Sequence, residues 1–324
     1  MMRLCLSAAT LACLFAVSTA SAAPARSKAV VRTPQGLALQ TVMTPKPAAG
    51  EVLIKVHAAG VNPVDWKRPA EIPGFDAAGV IDSVGAGVTN FKPGEAVLAW
   101  VKGGYAEYAV ANADETVRKP KRFTFEQAAG VPIAGVAGYR AVEEARLSAG
   151  QRVAIIGAAG GTGEVAVQLA KAHGAKIIAV GHSSQREFLK TLGVDEFVAY
   201  DQEDVAAKVR NVDAALNLVD GQATAALGYV KRGGRLTSIA GAPEAGKADA
   251  AGVTVVVIGG PGAYSGIGVG DALRALAKVA DAGKYTVTVS RVLPLAEAAK
   301  AQDMARAGQA IGKTILVVDP ALAK

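Results

Sequence analysis

The stretch Arg152-Val153-Ala154-Ile155-Ile156-Gly157-Ala158-Ala159-Gly160-Gly161-Thr162-Gly163 constrains the fold more than any other part of the chain. A short apolar run stops at a cluster of glycines, and a helical pattern follows from Glu164 to His173. That order reads as a buried strand, a tight turn and a helix start. Without side chains in the turn, a pyrophosphate can approach the backbone. The free N–H groups and the dipole of the helix then favour its negative charge.

The same rhythm continues downstream. Strand-like runs at Val153–Ile156, Lys176–Val180, Glu196–Tyr200, Ala214–Val219, Arg235–Ile239 and Val253–Ile258 alternate with helical segments such as Gln185–Leu192. Repeated strand–helix alternation predicts a doubly wound parallel sheet. Upstream, short strands at Val30–Arg32, Leu37–Val42, Val52–Val56, Ala78–Val84, Ala96–Trp100 and Ala106–Val110 are punctuated by Gly and Pro. That pattern predicts a barrel-like or sandwich β domain. After Ser265 the chain reads helix, strand, helix, strand, ending at Thr314–Val318. At 324 residues and 51% hydrophobic content, the chain is large enough for two cores.

The N-terminus reads as a targeting segment. Arg3 precedes the apolar run Leu4–Val17, and Ala20-Ser21-Ala22 supplies small residues for cleavage. Residues 1–22 are therefore expected to be a secretory signal peptide, with a periplasmic address; an uncleaved membrane anchor is the alternative. Both cysteines, Cys5 and Cys13, lie inside this leader. The mature chain is then expected to lack disulfides, thiolate nucleophiles and thiolate-bound zinc. The net charge of +7 is spread along the chain, so no nucleic-acid partner is expected.

The cofactor's ribose should be read at the end of the second strand of the parallel sheet. An NAD site places an acid there. This chain has Gly181-His182-Ser183-Ser184-Gln185-Arg186, without an acid until Glu187. The hydroxyls of Ser183 and Ser184 with the cation of Arg186 suit a 2′-phosphate, so NADPH is the expected cofactor. A solvated Arg186 and a simple turn at His182 are the plainer alternatives.

Ala59-Gly60-Val61-Asn62-Pro63-Val64-Asp65-Trp66-Lys67, Pro73-Gly74-Phe75-Asp76, Gly104-Tyr105-Ala106-Glu107-Tyr108, Gly157–Gly163 and Gly312-Lys313 occur in this order. On these motifs the chain, from about Val30 to Val318, resembles the medium-chain dehydrogenase/reductase superfamily. It is most similar to the branch of zinc-free quinone oxidoreductases and alkenal/enone reductases. The resemblance implies an α/β architecture, a GroES-like β domain plus a Rossmann doubly wound parallel sheet. The corresponding segments are a substrate domain at 28–123, an NADP-binding domain at 124–265 and a C-terminal return at 266–320. It further implies a cleft between the domains, hydride transfer from NADPH to a quinone or an α,β-unsaturated carbonyl, and a homodimer.

Carried onto this chain, Gly157, Ala158, Ala159, Gly160, Gly161, Thr162 and Gly163 hold the pyrophosphate. Asn217, Leu218, Val219 and Gly241 border a ribose. Asn62 stands where relatives place a polar group beside nicotinamide and substrate; it is either an amide donor to the acceptor carbonyl or an Asn-Pro turn residue. Tyr105 or Tyr108 is a candidate phenolic donor, with packing in a strand as the alternative, and Trp66 either walls the pocket or packs in the core. The three histidines, His57, His173 and His182, fall on different elements, so no metal site is expected.

Three departures bear on the carry-over. Only six residues separate Trp66 from Pro73, where relatives carry a longer loop. Ala137 stands where relatives generally have threonine, and Ser184 where they have a basic residue. An exported binding module with little catalysis, and an enoyl or alcohol oxidoreductase of the same fold, are the competing functions.

Overall fold

The computed structural model describes residues 23–259, 266–308 and 310–318. The expected leader at 1–22, the expected boundary at 265 and the last two residues of the expected 266–320 segment lie outside them.

The glycine-turn strand sits at the centre of a six-stranded sheet among the described residues. Its members are β7 (Arg152–Ile156), β8 (Lys176–Gly181), β9 (Glu196–Ala199), β10 (Val212–Asn217), β11 (Val230–Ser238) and β12 (Thr254–Val257). The order is β12-β11-β10-β7-β8-β9, and every pairing is parallel. The order reverses between β7 and β10, and ligands bind at the strand ends beside such a switch point. Alternation with a period of two explains why the strands are apolar throughout. Val153, Ile155, Ile177 and Leu216 pack into one layer, while Ala154, Ile156, Ile178 and Ala215 pack into the other.

The β part begins with a hairpin of β1 (Arg26–Thr33) and β2 (Gly36–Met43). It continues with β3 (Glu51–Gly60), β4 (Asp76–Val84), β5 (Ala96–Lys102) and β6 (Tyr108–Arg118). β3 pairs with both β4 and β6, so these strands close on themselves, as a barrel rather than a sandwich. Ile54, Ile81, Val97 and Val101 fill the interior. A helix at Phe125–Ala129, capped by Thr124 and Gln127 in a reciprocal capping box, leads out of the barrel. The helix Pro132–Ala145 then packs on the helix that follows the glycine turn, Gly161–Ala172. A Cβ at Gly138 would stand 2.9 Å from the Thr162 carbonyl oxygen, so glycine sets that close crossing.

The chain returns through β13 (Val289–Pro294) and β14 (Lys313–Val317), and β14 pairs antiparallel with β3. The turn before β14 touches the glycine turn directly. The Gly312 N–H donates to the Ala159 carbonyl at 2.9 Å, and a Cβ on Gly312 would meet the Thr288 carbonyl oxygen at 2.2 Å. This contact carries Lys313 to the junction of the two sheets. Across the same junction Lys67 pairs with Asp220, and the Arg68 guanidinium donates to the Gly259 carbonyl at 3.3 Å. The short segment after Trp66 is thus tied to loops that follow β10 and β12.

Candidate active site

A cavity of about 930 Å³ runs along the C-terminal ends of the parallel strands and under the barrel loop. That is at the upper end of the ~300–1,000 Å³ usual for ligand and cofactor sites. Gly157, Gly160, Gly161, Thr162 and Gly163 line its middle. The first N–H groups of a helix have no acceptor within it, and here those of Gly161, Thr162 and Gly163 stand at the cavity wall. A Cβ at Gly163 would lie 2.2 Å from the Gly157 carbonyl oxygen, so a side chain there would break the turn. Ala158 and Ala159 instead pack beneath the turn in the core.

Glu164, an acid in the first helical turn, is not among the residues that line the cavity. Its carboxylate accepts from the Thr288 N–H at 3.1 Å and from the Thr288 hydroxyl at 2.5 Å. Burial pushes this carboxyl above its ordinary range. Val219 and Leu218 line the cavity, whereas Asn217 sits wholly buried behind them. The Asn217 amide donates to the Ser238 hydroxyl at 3.0 Å and accepts from the Val219 N–H at 3.4 Å, which shapes the wall. Gly241 is not among the lining residues; its carbonyl accepts from the Ser238 hydroxyl at 2.6 Å.

Where the barrel meets the cavity, a buried polar cluster replaces a free donor. Asn62 lines the cavity, but both ends of its amide are held. Its Nδ2 donates to Asp76 at 2.8 Å, and its Oδ1 accepts from the Lys313 ammonium at 2.5 Å. Lys313 also donates to the Val61 carbonyl at 3.2 Å and stands 3.5 Å from the Asp76 carboxylate. The Ile133 N–H closes the other Asp76 oxygen at 2.7 Å. Burial raises the Asp76 carboxyl, and Lys313, Asn62 and Ile133 all pull against that rise.

Tyr105 is not the expected donor to a substrate. It is fully buried, and its hydroxyl donates to Asp65 at 2.8 Å. The reason is its place on the turn that crosses Gly74, where a Cβ would meet the Tyr105 ring at 2.5 Å. Tyr108 is also buried, away from this cavity. Trp66 packs on the cluster containing Leu293 and Leu295, under the Arg306 guanidinium 5.0 Å from its ring centre.

Asp65 accepts from the Asn62 N–H at 2.8 Å as well as from Tyr105, and burial pushes its carboxyl up to about 7. In the unfolded chain it titrates near its ordinary value of ~3.9. Between these values the folded state holds the extra proton, so stability should fall as pH rises through the window and level off above it. Melting temperatures taken from about pH 4 to about pH 8 should show this fall, and Asp65→Asn should make it shallower. An unchanged slope in that variant would remove Asp65 as its source.

At the end of β8, the structure does not leave the expected phosphate ligands free. Ser183 donates to Asp201, and Ser184 pairs with His182. Arg186 lies over the Phe197 ring, 3.9 Å from Glu203. Lining that end instead are Gly181, Gln185, Tyr200, Glu203 and Asp204. Sequence reasoning named neither the acids nor Lys313 as site residues, although Gly312-Lys313 and Asp76 were visible as motifs.

Residues 48–121 match the alcohol dehydrogenase GroES-like domain family, and residues 192–316 match the zinc-binding dehydrogenase family. The donors here do not fit zinc. Among the described residues no three His, Cys, Asp or Glu side chains are grouped to hold a metal. His57 packs 4.1 Å from the Phe125 ring, His173 pairs with Glu143 and His182 with Asp201, in three separate places.

The chain is 33% identical to a 2-methylene-furan-3-one reductase of Solanum lycopersicum over 73% of its own length and 68% of that protein's. It is 37% identical to a quinone oxidoreductase of Rattus norvegicus, over 55% of this chain and 58% of the rat protein. The solved structure of a quinone oxidoreductase from Coxiella burnetii superposes with a TM-score of 0.82 at 27% identity, covering 91% of this chain and all of that one. The two domain matches, the relatives and the superposition converge, and the chain belongs to the zinc-free quinone oxidoreductase branch of the medium-chain dehydrogenase/reductase superfamily.

Proposed function

We propose that this protein is an NAD(P)H-dependent oxidoreductase that passes a hydride to a quinone or to the β-carbon of an α,β-unsaturated carbonyl. One observation carries the reading: a single cavity is lined by the phosphate turn in its middle and by the barrel's Asn62–Lys313 cluster at one end. A reduced nicotinamide dinucleotide supplies the hydride when bound.

The residues of the chain do the rest. Gly161, Thr162 and Gly163 direct N–H groups at a pyrophosphate, and the missing side chain of Gly160 gives it room. Asn62 and Lys313 form the cavity wall beside the acceptor; the Lys313 ammonium is held by Asn62, Val61 and Asp76, so it fixes that wall rather than offering a free charge. Asp76 and Asp65 are positioning residues: one fixes Lys313 and Asn62, the other fixes the Asn62 backbone and Tyr105. Val61, Pro63 and Ala134 give that end apolar walls that limit water.

The relatives' names, quinone oxidoreductase and 2-methylene-furan-3-one reductase, support this acceptor class. The test follows nicotinamide absorbance with purified protein and a panel of quinones and enones. Acceptor-dependent oxidation is expected. Cofactor binding with no oxidation by any acceptor would instead favour a binding module.

The reading extends to address and assembly. The apolar Leu4–Val17 run and the small residues at Ala20–Ala22 support an exported, periplasmic protein, and N-terminal sequencing of the mature chain reads the cleavage. The family resemblance supports a homodimer, and light scattering of the purified protein measures it.

A further inference from the structure

Beside β8 the chain satisfies with its own acid the donors that an anion would take. The Ser183 N–H and hydroxyl both donate to Asp201, at 2.8 and 2.7 Å. His182 Nε2 stands 3.5 Å from the same carboxylate, and His182 Nδ1 pairs with the Ser184 hydroxyl at 2.9 Å. The nearby cations are already paired with an acid of the same cluster, Glu203. Arg186 stacks on Phe197 and lies 3.9 Å from Glu203, and Lys208 reaches that same carboxylate at 3.8 Å. Asp204 accepts from the Ala207 N–H at 3.2 Å. Tyr200, Glu203 and Asp204 line the cavity here; Asp201 is not itself among the lining residues but follows Tyr200 directly in the chain.

In a parallel sheet of this order, the adenosine ribose is read beside the end of the second strand, which is β8. A 2′-hydroxyl donates to a carboxylate. A 2′-phosphate cannot; it would meet like charge at short range, with the Ser183 donors already taken.

We propose that this site selects the dinucleotide that lacks a 2′-phosphate, NADH over NADPH, with Asp201 the main discriminating residue and Glu203 the second. The inference rests on the reading that the cavity holds a nicotinamide dinucleotide. It turns around the preference expected from Ser183, Ser184 and Arg186 alone. The hydrogen bonds from Ser183 hold the Asp201 carboxyl below its usual range, so it stays charged wherever the enzyme would work.

Titration calorimetry of the purified protein with NADH and with NADPH tests it, without any acceptor present. NADH should bind at least about tenfold more tightly, and Asp201→Asn should shrink the ratio of the two dissociation constants by about tenfold. Glu203→Gln should shrink the ratio by less. The ratio is taken within one variant, so a partial loss of folded protein does not move it. NADPH binding as tightly as NADH to the wild-type protein would overturn the proposal, as would a ratio unmoved in both variants. Either of those results leaves the oxidoreductase reading standing. Failure of both dinucleotides to bind would overturn that reading, and this inference with it.

Discussion

A Gly160→Val variant should fold as the wild type does and lose about a hundredfold in dinucleotide affinity, close to 2.7 kcal/mol. Gly160 adopts φ −71° and ψ 168°, extended backbone that suits a β-branched residue. A Cβ there would have the Gly157 carbonyl oxygen as its nearest neighbour, at an ordinary 3.7 Å. The added side chain therefore enters the cavity, where the pyrophosphate would lie, and strains nothing beneath it. Gly163→Ala is the informative contrast. Its Cβ would stand 2.5 Å from the Ala158 carbonyl carbon, so that variant should lose stability before it loses a ligand. Melting curves and titration calorimetry separate the two effects. A Gly160→Val protein that binds as tightly as wild type would refute the placement of the pyrophosphate.

Lys313→Met should cost about 3–5 kcal/mol of stability, because it strands a buried carboxylate. The Lys313 side chain is 5% exposed and that of Asp76 is 0% exposed, so water cannot replace the lost partner. Methionine keeps the aliphatic packing on Gly161 and removes the charge and the hydrogen bond to Asn62. Adding Asp76→Asn to that variant removes the stranded charge and should restore most of the loss, measured as unfolding free energy by chemical denaturation. Such a double-variant cycle isolates the pair from its surroundings. If Lys313→Met is as stable as wild type, the cluster is not the structural anchor described above.

What could be read from the chain was what is local. The strand, turn and helix at Arg152–Gly163 are contiguous, and β7 to β12 follow from a period of two over short runs. The paired face of β3 was not readable, because closing the barrel brings Lys55 opposite Tyr108, far apart in the chain. The same limit explains the site. Asn62 reads in sequence as either an amide donor or an Asn-Pro turn residue, but Lys313 and Asp76 arrive from distant strands and take both ends of its amide. Ser183 looked available to a phosphate until folding brought Asp201 beside it. Tyr105 was a plausible donor by residue type, and only the packing of Gly74 against its ring turns it to Asp65. Asp76 and Lys313 could be seen as motifs, yet nothing in either segment alone reveals that they form one ion pair.

In the proposed function, hydride passes directly from a nicotinamide held on the glycine turn to an acceptor beside Asn62 and Lys313. Reduced dinucleotide deuterated on the transferring face at nicotinamide C4, incubated with the protein and an α,β-unsaturated ketone, tests it by mass spectrometry of the product. A single deuterium at the β-carbon is the predicted result, and its loss in Gly160→Val would tie the transfer to this turn. Saturated product without deuterium, or no product with any enone or quinone while the cofactor binds, would contradict it.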